Sequence, residues 1–123
     1  MVDDDQMTRD FAVDVLAYSV NREVKSFGNG VDAWTYIKDP ESADIIVSEV
    51  DIPQMNGLEL LKKVKSEYPK KICILMSNQP AHETAARQSG ADAFIAKPFD
   101  IDDLFDVVQS FVVEVNWKHF DSD

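Results

Sequence analysis

Four places in this chain carry side chains able to handle a charged oxygen group: Asp3-Asp4-Asp5, the stretch Glu49-Val50-Asp51, Ser77 and Lys97. Carboxylates are nucleophiles and oxygen ligands, a hydroxyl donates one hydrogen bond, and an ammonium offsets surplus negative charge. Taken singly, each has an ordinary reading. Three aspartates near a terminus make a solvated acidic end, Ser77 closes an apolar run, and Lys97-Pro98 is a surface turn. Only a fold that gathers residues from opposite ends of the chain would turn them into a site.

Short β-branched or continuous apolar runs alternate with segments of helical period, the pattern of a parallel sheet covered on both faces. The fold class is therefore α/β. Ala12, Val15, Leu16 and Val20 predict a helix over Thr8 to Val20, and Val24 to Phe27 predicts a strand closed by the turn Gly28-Asn29-Gly30. Ala33, Trp34 and Ile37 mark a second helix. Asp44-Ile45-Ile46-Val47-Ser48 reads as a buried strand ending at Glu49. Leu61, Val64 and Tyr68 line a third helix, stopped by Pro69. A strand over 72–76 follows, then a helix from Ala81 to Ser89 with Gly90 as its left-handed stop, and the strand Ala93 to Ala96. The last helix starts near Asp102 and carries the stripe Leu104, Val108, Phe111 and Val115. Phe111 to Val115 is β-branched enough for a strand, but the persisting period favours helix. Only Met1 and Val2 precede the acidic run, whereas a strand needs about five residues. A stub here would lose buried apolar area at about 25 cal/mol per Å² and lower stability.

The 123 residues suit one domain with no linker. A net charge of −11 argues against binding a phosphate backbone, so nucleic acid is not an expected direct partner. Cys73 is the single cysteine and lies inside an apolar run, which excludes an internal disulfide and predicts a small buried hydrophobe. No apolar run reaches the length of a membrane span, and the N-terminus is acidic where a signal peptide is basic. The expected location is the cytoplasm. His82 and His119 have no ligand spacing and are expected at the surface, and Trp117 packs either on the last helix or on a second copy, making a homodimer.

Asp51-Ile52-Pro53-Gln54-Met55-Asn56-Gly57 after a strand, joined to Asp3-Asp4, Ser77 and the segment Gly90 to Phe99, resembles the receiver domain of two-component response regulators, of the chemotaxis-regulator kind. The resemblance implies a doubly wound, flavodoxin-like, five-stranded parallel sheet of order 2-1-3-4-5, here with a truncated first strand. Asp3, Asp4, Glu49, Ser77 and Lys97 would then meet at the carboxyl ends of the strands. It implies Mg²⁺ held by Asp4, by Asp3 through water, by the acid at 49 and by the Asp51 carbonyl. Lys97 and Ser77 would hold phosphoryl oxygens, and Phe94 would be the aromatic that swings inward when the site is phosphorylated, or else a plain core aromatic of the last strand. The partners implied are a sensor histidine kinase or an output protein on the face of the fourth helix, fifth strand and fifth helix. Such a domain is a phosphorelay signalling module, not an enzyme.

The phosphoacceptor position, however, holds Glu49 where the family has aspartate. One methylene moves a carboxylate outward by about 1.5 Å, and a misplacement of about 1 Å costs about a hundredfold in rate. Asn78, larger than the family's residue after the hydroxyl, crowds access further. The expectation is a pseudo-receiver or phosphomimetic in which Glu49 faces Lys97 with one charge, where a phosphate offers about −1.5 to −2. At about 4 Å and an effective dielectric near 20, that pair attracts by roughly 4 kcal/mol before desolvation. Three alternatives stand beside it: a conventional receiver whose aspartate was changed to Glu49, Asp51 as the acceptor, and a haloacid-dehalogenase-like phosphatase using Asp3-Asp4-Asp5. The last lacks a threonine or valine after Asp5, a full preceding strand and a cap.

Overall fold

The computed structural model describes residues 1–7, 9–10, 13, 24–39, 41–99 and 101–121, without the side chains of 101 and 113–121. Three strands, β1 (Ile45–Glu49), β2 (Ile72–Ser77) and β3 (Ala93–Ala96), pair in parallel in that order. Val2 adds to this sheet through parallel bridges to both Ser48 and Phe27. Its N–H donates to the Val47 carbonyl at 2.8 Å and its carbonyl accepts from Glu49 N–H at 2.9 Å. The sheet thus reads Phe27, Val2, β1, β2, β3, the expected order 2-1-3-4-5 with the first strand cut to a stub. The strand expected over Val24 to Phe27 is a single bridge at Phe27. Among the described residues it pairs with the stub alone, and a ladder cannot run past the partner it pairs with.

Four helices with described bounds follow in chain order: α1 (Gly30–Ile37), α2 (Gly57–Glu67), α3 (Ala81–Gln88) and α4 (Ile101–Asp121). Asn29 and Asn56 cap the first two, their side chains accepting from Asp32 N–H at 2.8 Å and Glu59 N–H at 2.9 Å. Tyr68 caps α2 just before Pro69, and Gly90 follows α3 at φ 97°, a conformation that suits glycine. Gln6, Met7, Arg9, Asp10 and Val13 are helical. The remainder of the helix expected over Thr8 to Val20 lies outside the described residues. The segment 111–115 is helix, as its period implied, and Leu104, Val108 and Val112 are its deepest described residues.

Alternation along the strands divides the core into two layers. Val47, Ile72, Ile74, Met76 and Ile95 pack with Leu104, Val108 and Val112 of α4. Ile46, Cys73 and Leu75 point the other way, onto Ala33 and Ile37 of α1 and Leu60, Leu61 and Val64 of α2. All six residues of β2 are buried, as a central strand covered on both faces requires. The stub leaves a mark at the amino end of the sheet. A cavity of about 300 Å³ lies there, lined among others by Met1, Val24, Phe27, Ile45, Val47 and Val112. The Met1 amine donates to the Lys25 carbonyl at 3.0 Å, and burial pushes its pKa down from 8.0 to about 5.

Candidate functional site at the carboxyl edge of the sheet

Strand ends position every member of the site. Glu49 is the last residue of β1, in register with Met76, and Ser77 ends β2 in register with Ala96. Lys97 comes directly after β3, its backbone N–H donating to the Ser77 carbonyl at 2.8 Å. Asp3 follows Val2, with its N–H on the Phe27 carbonyl at 3.1 Å. Four side chains from four segments therefore share one edge. Gly57 sets the approach of α2 to that edge, because its N–H donates to the Val50 carbonyl at 2.8 Å and a side chain there would meet Glu49 backbone.

The Lys97 ammonium is the hub. Its Nζ lies 2.8 Å from Asp3 Oδ2 and 2.6 Å from Glu49 Oε2. Asp3 is fully buried, with Oδ1 accepting from Asp5 N–H at 2.9 Å, and Arg9 Nη1 donates to its carbonyl at 2.6 Å. Glu49 is 6% exposed, and its Oε2 has no hydrogen-bond partner of good alignment among the described residues. At 2.6 Å the Lys97 ammonium is the cation that pairs with this oxygen. Burial pulls the Lys97 pKa down, but the bonds from Asp3 and Glu49 outweigh it and the net direction is upward.

Receiver domains generally bind Mg²⁺ at this place in the fold, and the all-oxygen donor set has the right hardness. The arrangement of the donors is another matter. Both Asp3 oxygens are engaged, Asp4 and Asp51 are exposed, and the ammonium occupies the position between the two buried carboxylates. Among the described residues no three acidic, histidine or cysteine side chains come together at metal-ligating spacing. As arranged, these residues fit their own lysine and not a divalent cation.

Ser77 is buried, and its Oγ lies 2.7 Å from His82 Nδ1 and accepts from Gln79 N–H at 3.0 Å. Gln79 Nε2 also reaches across the mouth to Asp51 Oδ2 at 3.2 Å. Phe94 is half-buried against the α1/α2 layer of the core, and Asn78 is exposed. Sequence reasoning missed Arg9, Gln79 and His82. The signal for His82 was Pro80 at the start of α3, which puts residue 82 in a first turn that faces back to the strand end. His119 and Trp117 lie outside the described side chains.

Parallel strands wound into a flavodoxin-like sheet, with acids, a hydroxyl and a lysine at its carboxyl edge, define a class of phosphoryl-responsive signalling folds. The family described as response regulator receiver domain matches residues 1–109, and the chain belongs to it. It is 34% identical over 111 residues to the DNA-binding transcriptional regulator NtrC of Azospirillum brasilense, covering 89% of this chain and 23% of that protein. A chemotaxis protein CheY homologue of Campylobacter jejuni is 30% identical over 103 residues, covering 80% of this chain and 79% of its own. The chain thus spans about a quarter of the NtrC relative and most of the CheY relative. A CheY-like receiver from Methanospirillum hungatei superposes with a TM-score of 0.85 at 24% identity, over 95% of this chain and 94% of that one. NtrX from Brucella abortus gives 0.83 at 26% identity, over 98% of this chain and 28% of that one. Receiver domains are regulatory signalling modules that work with histidine kinases and output domains. No helix among the described residues is long and apolar enough to cross a membrane.

Proposed function

We propose that this chain is a pseudo-receiver: a cytoplasmic regulatory module whose Glu49 carboxylate stands permanently where a phosphoryl group would bring charge, and which does not cycle through an acyl phosphate. The observation that carries the reading is the 2.6 Å approach of Lys97 Nζ to Glu49 Oε2. A phosphoacceptor must attack in line with its carboxylate free, whereas this carboxylate is already the lysine's counter-ion. Glu49 supplies the negative charge, Lys97 neutralises it and ties it to Asp3, and Ser77 and Phe94 form the group that senses it. A partner, whether histidine kinase or output protein, would read the surface of α3, β3 and α4, which correspond to the family's fourth helix, fifth strand and fifth helix. The net charge of −11 supports a protein partner over nucleic acid.

Intact-mass measurement after incubation with acetyl phosphate and Mg²⁺ tests this. The chain should gain no phosphoryl mass, whereas Glu49→Asp should gain one. Uptake by the unaltered chain overturns the proposal. Loss of that uptake in Asp51→Asn would then assign it to Asp51, and retention would assign it to Glu49.

A further inference from the structure

The cavity at the amino end of the sheet, opposite the Glu49 edge, is bounded by backbone as well as by side chains. The Asp44 carbonyl and the Val50 N–H bond toward β2, so Asp44, Ile46 and Ser48 turn their main chain that way, and Ile45, Val47 and Glu49 turn theirs to the other side. There the Val47 carbonyl and the Glu49 N–H are taken by Val2, at 2.8 and 2.9 Å. One strand repeat earlier, the Val47 N–H and both main-chain groups of Ile45 point to the cavity side and have no partner among the described residues. Val2 also bridges Phe27, so the segment ending there and β1 are held one strand apart. The walls come from both core layers, Ile37 and Ile46 from one, Val108 and Val112 from the other. An extended chain between the layers places alternate side chains in each, as Met1 and Val2 already do. The Met1 amine stands beside the gap and donates to the Lys25 carbonyl at 3.0 Å.

We infer that this cavity is a strand slot, which takes the C-terminal end of an extended apolar segment of another protein, running parallel to β1. The last residue of that segment occupies the register position ahead of Met1. Its N–H donates to the Ile45 carbonyl, and its carboxylate accepts from the Val47 N–H and pairs with the Met1 amine. Its side chain enters the layer of Ile37, and that of the residue before it enters the layer of Val112. About two to three residues, at about 3.3 Å each, complete the ladder that the stub leaves short. Direction and charge select this occupant. A parallel entrant brings its C-terminus up to the amine, and a carboxylate is the counter-ion an ammonium takes. Main-chain bonds then supply affinity and alternate side-chain pockets supply specificity, as in other sheets that accept an added strand. The slot does not depend on the Glu49 reading, which phosphoryl uptake decides.

The probe is the peptide acetyl-Ser-Val-Ile-Val with a free C-terminus, titrated into the unaltered chain. Backbone NMR signals of Ile45 and Val47 should shift while those of Lys97 stay, and the melting temperature should rise with peptide concentration. Amidating the C-terminus should weaken binding about tenfold, since a bond to a charged group is lost. Methylating the nitrogen of the last residue should weaken it about fivefold, the equivalent of one hydrogen bond of about 1 kcal/mol. Val112→Phe, which fills the cavity from α4 and leaves β1 unaltered, should abolish binding; the two altered peptides decide the matter even where that variant does not fold. No binding of the free acid at millimolar concentration overturns the slot. Equal binding of the N-methylated peptide, or octanoate binding as tightly as the peptide, makes the site a plain apolar cavity and overturns it as well.

Discussion

The Lys97 ammonium joins Glu49 and Asp3 across the sheet, 2.6 Å from one carboxylate and 2.8 Å from the other, from a position just beyond β3. Removing the lysine leaves two buried acids without their shared cation, and a broken buried pair costs about 3–5 kcal/mol. Lys97→Met should therefore lower stability by about that amount in urea unfolding. Combining it with Glu49→Gln should cost about 0.5–3 kcal/mol less than the sum of the two single changes. Simple additivity would show that the close approach carries no coupling.

The same geometry makes a prediction about cations. Because the ammonium already sits between the acids, Mg²⁺ should leave the melting temperature of the unaltered chain where it is. In Lys97→Met the vacated oxygens can take a divalent ion, which stabilises by mass action. Added Mg²⁺ should then raise the melting temperature of that variant. An equal response in both chains would count against lysine as the resident cation.

Much of this arrangement was legible in the residues. Glu49, Ser77 and Lys97 each end or follow an apolar run, and a parallel sheet brings such ends together. Which of Asp3, Asp4 and Asp5 turns inward was not, since adjacent acids differ only in the direction the short bridge at Val2 gives them. The strand expected at Val24 to Phe27 failed because its residues fit a strand but its partner is a stub. The contact of His82 with Ser77 leaves no cue in the sequence, because it spans a turn where no helical or strand period applies.

The buried amine of Met1 predicts a pH dependence of definite sign. Its folded pKa is lowered from 8.0 to about 5, so between those values the unfolded chain binds more protons. Stability from this group is present above pH 8 and is lost as pH falls toward 5, by up to about 4 kcal/mol at 1.36 kcal/mol per unit. Acetylating the amine removes the titration. The stability difference between acetylated and free chains should widen over that window, and parallel curves would refute the assignment.

Lys97 titrates in the opposite sense. Its folded pKa is raised, so its contribution is complete below the ordinary lysine value of about 10.4 and fades only as pH climbs through the raised one. Replacing Lys97 with methionine should therefore produce a stability loss that is flat through neutral pH and shrinks only in strong alkali. A loss that already shrinks near neutrality would contradict the raised value.

Cys73 should report on the opening of the sheet. It lies on β2 at 2% exposure, and burial is the main cause that pushes its thiol up to about 12. The thiolate is the reactive form, so alkylation in the native state should proceed only through unfolding. Its rate should rise in Lys97→Met in step with the lost stability. Rapid labelling of the stable chain would mean that β2 opens locally.

Gly57 tests how tightly the start of α2 sets the site. A Cβ built there would fall inside contact distance of the Glu49 carbonyl oxygen and lie 2.9 Å from Val50 Cα, both of them backbone and unable to rotate away. The Gly57 N–H to Val50 carbonyl bond of 2.8 Å holds the helix start against β1. Alanine must push α2 outward or drag the end of β1 with it, and overpacking of this kind costs about 1–3 kcal/mol. If β1 yields, Glu49 moves relative to Lys97, so backbone signals of both residues should shift together with the fall in melting temperature. A stability loss with Glu49 and Lys97 unmoved would mean that α2 alone gives way and that glycine here serves the helix start, not the site.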